Sequence, residues 1–302
     1  MHAYGASGRL GDPRRIEHIL EYVRRFPRTE IARSPFVHLD GDEFPEAFAA
    51  VEDVWLRLRR ESPTDPEIVR GLAAFVAGKD RSRATRLLQE ALLASPEHAG
   101  LWLELGRICA DPVRRLAALQ MVRELGATHP NLLTMIARAA LDAGDEAVAK
   151  RVAGELLALV ERARSLYGEK LDWPERGSEH WRRARAASGD DAEARRLVGA
   201  AANHANHKHW AYTTLGVLAA RTGDLPAACH HLAESAAIGH DYRISSYGPS
   251  FRLARELCAH LRWDEVRSYL KACERLWDGE VEVLRAWQQE LDRRRLPDFT
   301  GQ

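Results

Sequence analysis

The residues that most resemble a reactive constellation lie in one run, Asn203-His204-Ala205-Asn206-His207-Lys208-His209-Trp210. His204 and His207 are three residues apart, so on a helix they share a face and can chelate a metal, with His209 close behind. No E-x-x-H or H-E-x-x-H pattern stands beside them to complete a ligand set. The register places the run at the end of a second helix and in the turn after it. There Asn suits the C-cap, and His suits the negative end of the helix dipole. The expectation is a solvent-facing capping cluster, with a metal at His204, His207 and His209 as the alternative. His230 and His231 are adjacent and point about 100° apart on a helix, which rules out a chelating pair.

Other chemistry is not written in the chain. It has no nucleophile elbow, no Walker loop and no dinucleotide fingerprint, so neither an enzyme nor a cofactor is expected. Cys109, Cys229, Cys258 and Cys273 form no C-x-x-C pair and sit in apolar, helix-like contexts, as small buried hydrophobes of a reducing compartment do. The 44 basic and 44 acidic residues balance, which argues against a nucleic-acid partner. Only five of the basic residues are Lys. No apolar run approaches the roughly 18 residues of a membrane span. Met1 to Arg15 carries Gly, Arg and Asp where a signal peptide is apolar, so the expected location is cytoplasmic.

The elements that would position any site are set by an internal repeat. Ala84, Leu88, Ala91 and Pro96 return as Ala118, Val122, Leu125 and Pro130, each 34 residues on. Gly189-Asp190, Ala194, Val198 and Ala201 return with the same period as Gly223-Asp224, Ala228, Leu232 and Ser235. Trp102, Leu105, Gly106 and Cys109 fall at i, i+3, i+4 and i+7, one stripe of an amphipathic helix, and Tyr212, Leu215, Gly216 and Ala219 repeat it. The small residue in each stripe lets a second helix approach closely. Gly223-Asp224 predicts a left-handed helix end followed by an N-cap. Trp102 is expected in the core, against the second helix of its hairpin.

Trp102-x2-Leu105-Gly106 followed by Ala118 and Pro130 resembles the tetratricopeptide repeat signature W-x2-L-G-x2-Y, A-x3-F, P. Tyr212-x2-Leu215-Gly216 with Gly223, Asp224 and Ala228 matches it nearly as well. Leu133, Ile136, Ala137, Gly144-Asp145 and Ala149 make a third hairpin. Leu253, Ala254, Leu257, Trp263, Val266, Leu270 and Cys273 make a last one. Gly71-Leu72 inverts the small-residue pair, and the repeat at 175–208 has Trp181-Arg182 in its place. The resemblance covers residues 65–277 and implies an all-α superhelix, a solenoid of about six hairpins with capping helices. The expected divisions are N-terminal capping helices in 1–62, with helices at 13–26 and 43–61, repeats in 63–163, an insertion at 164–174, further repeats in 175–277, and a C-terminal cap and tail in 278–302. Leu284, Trp287 and Leu291 stripe that last helix before Pro297. Gly248-Pro249 is expected to restart a helix with Pro in its first turn.

The resemblance further implies that ligands bind the concave surface lined by the first helices, where the residue after the small position points inward. Those residues are Arg107, Arg138 and Arg255, joined by Arg221 one turn beyond Val217. Guanidinium groups in series suit carboxylate or phosphate, so an acidic protein or peptide partner is expected. The alternative is that they pair with Glu104, Asp142 or Glu256 on the same array. Tyr242 and Tyr247, in the long connection at 239–250, either reach the groove mouth or pack on the neighbouring hairpin. The implied function is a protein- or peptide-binding scaffold. The alternatives are a regulatory peptide receptor, an immunity protein that blocks a partner enzyme, and a metal-dependent enzyme at His204 and His207.

Overall fold

A computed structural model describes residues 12–167, 182, 186, 191–239 and 241–299, and among them all regular structure is helical, with no strand. The chain divides into two compact units, residues 1–127 and 128–302.

The first unit begins with α1 (Pro13–Arg25) and α2 (Pro45–Glu61), close to the expected pair. It continues through α3 (Pro66–Val76), α4 (Arg81–Ala94), α5 (Ala99–Ile108) and α6 (Pro112–Glu124). Each boundary has a local cause. Asp65, Asp80 and Asp111 cap α3, α4 and α6 by accepting bonds from backbone N–H groups of the first turn. Pro66 and Pro112 fill first-turn positions where no N–H is needed. The short connections return each helix on its predecessor, so α3 pairs with α4 and α5 with α6, while α5 also packs on α3. Ile68, Leu72, Leu88 and Leu101 lie in the shared core, and Ala118 joins it from α6. Close approach depends on glycine. A Cβ on Gly71 would overlap the Trp55 indole, and one on Gly106 would overlap the Leu119 side chain of α6.

The second unit contains α7 (Pro130–Ala143), α8 (Glu146–Tyr167), α9 (Asp191–Ala202), α10 (His204–Arg221) and α11 (Leu225–Ala236). After them come α12 (Tyr242–Tyr247), α13 (Arg252–Ala259), α14 (Trp263–Cys273) and α15 (Val281–Asp292). Gly144 and Gly223 end their helices at φ of 75° and 80°, and Asp145 and Asp224 cap the next ones, as their sequence predicts. The pairs α7/α8, α10/α11 and α13/α14 pack as hairpins, α10 lies on α7 and α8, and α15 closes on α14. Leu284 and Leu291 are buried, and Trp287 meets Phe251 and Phe299 edge-on.

Several expectations change. The histidine run does not close a second helix: it opens α10, a first helix of 18 residues. Of the expected hairpin at 175–208, the part before residue 191 lies outside the described residues apart from 182 and 186. Its described helix α9 leans on α8, and α10 packs directly on α7 and α8. The insertion at 164–174 begins as a continuation of α8, and its remainder is outside the described residues. Pro249 does not start a helix. Gly248 ends α12 at φ 79°, and the next helix begins at Arg252.

Candidate functional site

Three places in the two units were open to function: the histidine run, the faces made by first helices, and the faces made by second helices.

The run is structural in its geometry. His207 and His209 are 0% and 1% exposed, which overturns the expectation that they face solvent. The Ser250 N–H donates to His209 Nε2 at 2.8 Å, so His209 Nδ1 carries the proton and donates to the Ser235 carbonyl at 2.8 Å. Both nitrogens are engaged, and burial pushes this imidazole down to about 4. His207 Nδ1 meets Thr134 Oγ1 of α7 at 3.1 Å, its Nε2 meets no hydrogen-bond partner among the described residues, and burial pushes it down to about 3. His209 thus has both ring nitrogens occupied, whereas His207 has one. Among the described residues no three of His, Cys, Asp and Glu converge as a metal requires. His204 is half-buried.

On the first-helix side of the first unit, charges are already matched. Arg33 pairs with Glu30 at 2.7 Å and with Glu67 at 2.8 Å, and Arg70 grips both carboxylate oxygens of Glu67 at 2.7 and 2.9 Å. Arg107, the expected groove residue, lies 3.6 Å from Glu104 Oε2. Burial raises the Glu104 carboxyl above its usual value in spite of the Arg107, Arg70 and Arg33 charges.

The second unit treats its arginines similarly. Arg138 stacks over the Trp210 ring at 4.2 Å, and Arg221 approaches Glu256 at 4.0 Å. Asp142 pairs with Arg252 at 2.6 Å and so ties α13 to α7. Arg255 is exposed and has no ion-pair partner among the described residues. The connection at 239–250 also leans on α7, through Arg243 Nη1 donating to Asn131 Oδ1 at 2.9 Å, with Ile244 buried. Tyr247 is 78% exposed, and the Tyr242 side chain lies outside the described set. Ion pairing and stacking therefore engage Arg107, Arg138 and Arg221, close to the alternative weighed above.

The second-helix side of the first unit is different. α4 and α6 both pack on α5 and stand apart from each other, leaving a groove of about 660 Å³. Trp102 and Leu105 of α5 form its floor. Leu92 and Leu93 line it from α4, and Ala117, Ala118 and Met121 from α6. Leu93 is 87% exposed. Trp102 is not in the core as expected: it is half-buried on the groove floor because α4 does not close over it, and its indole N–H donates to the Pro96 carbonyl at 2.7 Å. Arg86, Glu90 and Arg114 form the polar rim. An apolar bed with a few charged groups at its rim has the character of a site that holds apolar groups. The repeat singled out Trp102, Leu105 and Ala118 as packing residues but neither Leu93 nor Met121, although Leu93 is a visible signal, an apolar residue at i+7 from Arg86 on the otherwise polar face of α4.

Compared with models of known protein families and with curated proteins, the chain matches none. No helix among the described residues is long and apolar enough to cross a membrane.

Proposed function

We propose that the protein is a non-catalytic scaffold that binds other polypeptides, that its hairpins form a tetratricopeptide-like superhelix, and that a partner's apolar side chains dock between α4 and α6. The observation that carries this reading is the apolar groove floored by Trp102 with Leu93 exposed at its edge. Folding gives no reason for Leu93 to be leucine, because its side chain contributes almost nothing to the core. An exposed apolar bed of this kind with a polar rim marks an interaction site. The buried free thiols Cys109, Cys258 and Cys273 fit the reducing compartment in which such a scaffold would work, while Cys229 is half-exposed. The first-helix arginines have less support as the primary seat, since Arg107, Arg138 and Arg221 each have a partner within the protein.

Peptides selected against the whole protein from a displayed library test the reading. Leu93→Glu and Met121→Glu are expected to weaken the selected binders at least tenfold while the helical circular dichroism is unchanged. Binders whose affinity ignores both substitutions would place docking elsewhere.

A further inference from the structure

The groove has a direction. Its α4 wall presents Arg86, Gln89, Glu90 and Leu93, and its α6 wall presents Arg114, Ala117, Ala118 and Met121, each set spaced i, i+3, i+4, i+7. Each wall is thus one face of two helical turns, about 10 Å long. Because α3, α4, α5 and α6 reverse direction at each short connection, α4 and α6 run the same way. Arg86 and Arg114 therefore share one end of the groove, and Leu93 and Met121 share the other.

The charges at the basic end are largely uncommitted. Arg86 is exposed and pairs with no described carboxylate, and Arg114 has only a loose contact with Asp111 at 3.9 Å between exposed side chains. The acidic member of the rim, Glu90, is held by Arg59 of α2 at 3.3 Å. The net presentation is a basic end and an apolar end.

The walls also restrict the form of the ligand. An extended peptide gains affinity by adding backbone hydrogen bonds to a sheet edge, whereas α4, α5 and α6 satisfy their own backbone groups internally. A helical ligand does the same and needs only side-chain contact. The groove is open along its length, with Leu93 exposed, and it does not enclose a single acyl chain.

Resting on the docking reading above, we infer that the ligand is an amphipathic helix with an acidic end, its carboxylates at Arg86 and Arg114 and its apolar stripe at Trp102, Leu93 and Met121. The probes are two synthetic helical peptides of about 16 residues with leucine and phenylalanine at i, i+3/i+4 and i+7, one ending in two glutamates and the other in two lysines, with dodecanoate as a third. Titrated by fluorescence anisotropy against the whole protein, the acidic peptide is expected to bind roughly tenfold tighter than the basic one in low salt. The gap should shrink at about 0.5 M salt, and the Arg86→Glu/Arg114→Glu variant should reverse the order. Equal affinity of the two peptides, unmoved by that variant yet lost in Leu93→Glu, would overturn the acidic ligand and leave the docking reading standing. Binding of dodecanoate without either peptide would make the groove a small-amphiphile site and overturn the inference. Binding of none of the three would remove both the inference and the reading on which it rests.

Discussion

The same three-helix arrangement occurs twice, and the second groove carries the larger share of polar groups. In the first unit α4 and α6 flank α5, and the space between them is apolar and about 660 Å³. In the second unit α8 and α11 flank α10, and the corresponding groove of about 410 Å³ is lined by Glu146, Lys150, Asp224 and His231 as well as Leu215 and Leu218. Folding accounts for the acidic groups of the second groove. Glu146 and Asp224 stand at the N-termini of α8 and α11, where a carboxylate favours the helix dipole, and Asp224 also caps α11. It gives no comparable account of Leu93. Repeated hairpins thus separate what the architecture requires from what it does not, and the unexplained apolar residue is the better guide to binding.

The comparison requires the first groove to remain open in solution. Trp55 is wholly buried between α2 and α3, whereas Trp102 is half-buried on the groove floor. Trp55→Ala should therefore cost about 3–5 kcal/mol and Trp102→Ala only roughly 1–2 kcal/mol, read from urea melts. Equal costs would mean that α4 closes over Trp102 and that the groove is absent.

The two units should also part in acid. His207 and His209 are held at about 3 and about 4 in the folded second unit, below the ordinary histidine value near 6.5. The unfolded chain binds these protons first, so their contribution to stability is present above about pH 6.5 and falls as the pH drops toward the folded values. The loss by about pH 5 is on the order of 2 kcal/mol for each histidine. Hydrogen exchange should show α10 and α11 losing protection between pH 6.5 and 5, and the His207→Gln/His209→Gln variant should flatten that slope. A native slope that the double variant leaves unchanged would assign the acid sensitivity to other groups.

Much of the fold was legible because its causes are local. The 3.6-residue stripes and the Gly-Asp breaks at 144 and 223 each act within one or two turns. The groove was not legible, because it depends on how far α4 stands from α6, two helices that meet only through α5. The histidines were misread for a related reason. The stripe from Tyr212 to Ala219 sets the face of α10 but not its start, and the burial of His209 depends on Ser235 and Ser250, far along the chain.

A smaller effect bears on the first-helix arginines. Arg138→Glu removes the stacking on Trp210 and should cost about 0.5–1 kcal/mol in stability. Affinity for a groove ligand should be unchanged. A loss of binding in Arg138→Glu without a matching loss in Leu93→Glu would return the first-helix face to the leading position.

Site-resolved photo-cross-linking compares the two grooves most directly. A benzoylphenylalanine is placed at Leu93 in one sample and at Lys150, on the wall of the second groove, in another, and each is irradiated with a labelled peptide selected on the native protein. A covalent adduct at position 93, competed away by unlabelled peptide and absent at position 150, is the result the account predicts. Adducts at position 150 alone, or equally at both positions, would contradict it.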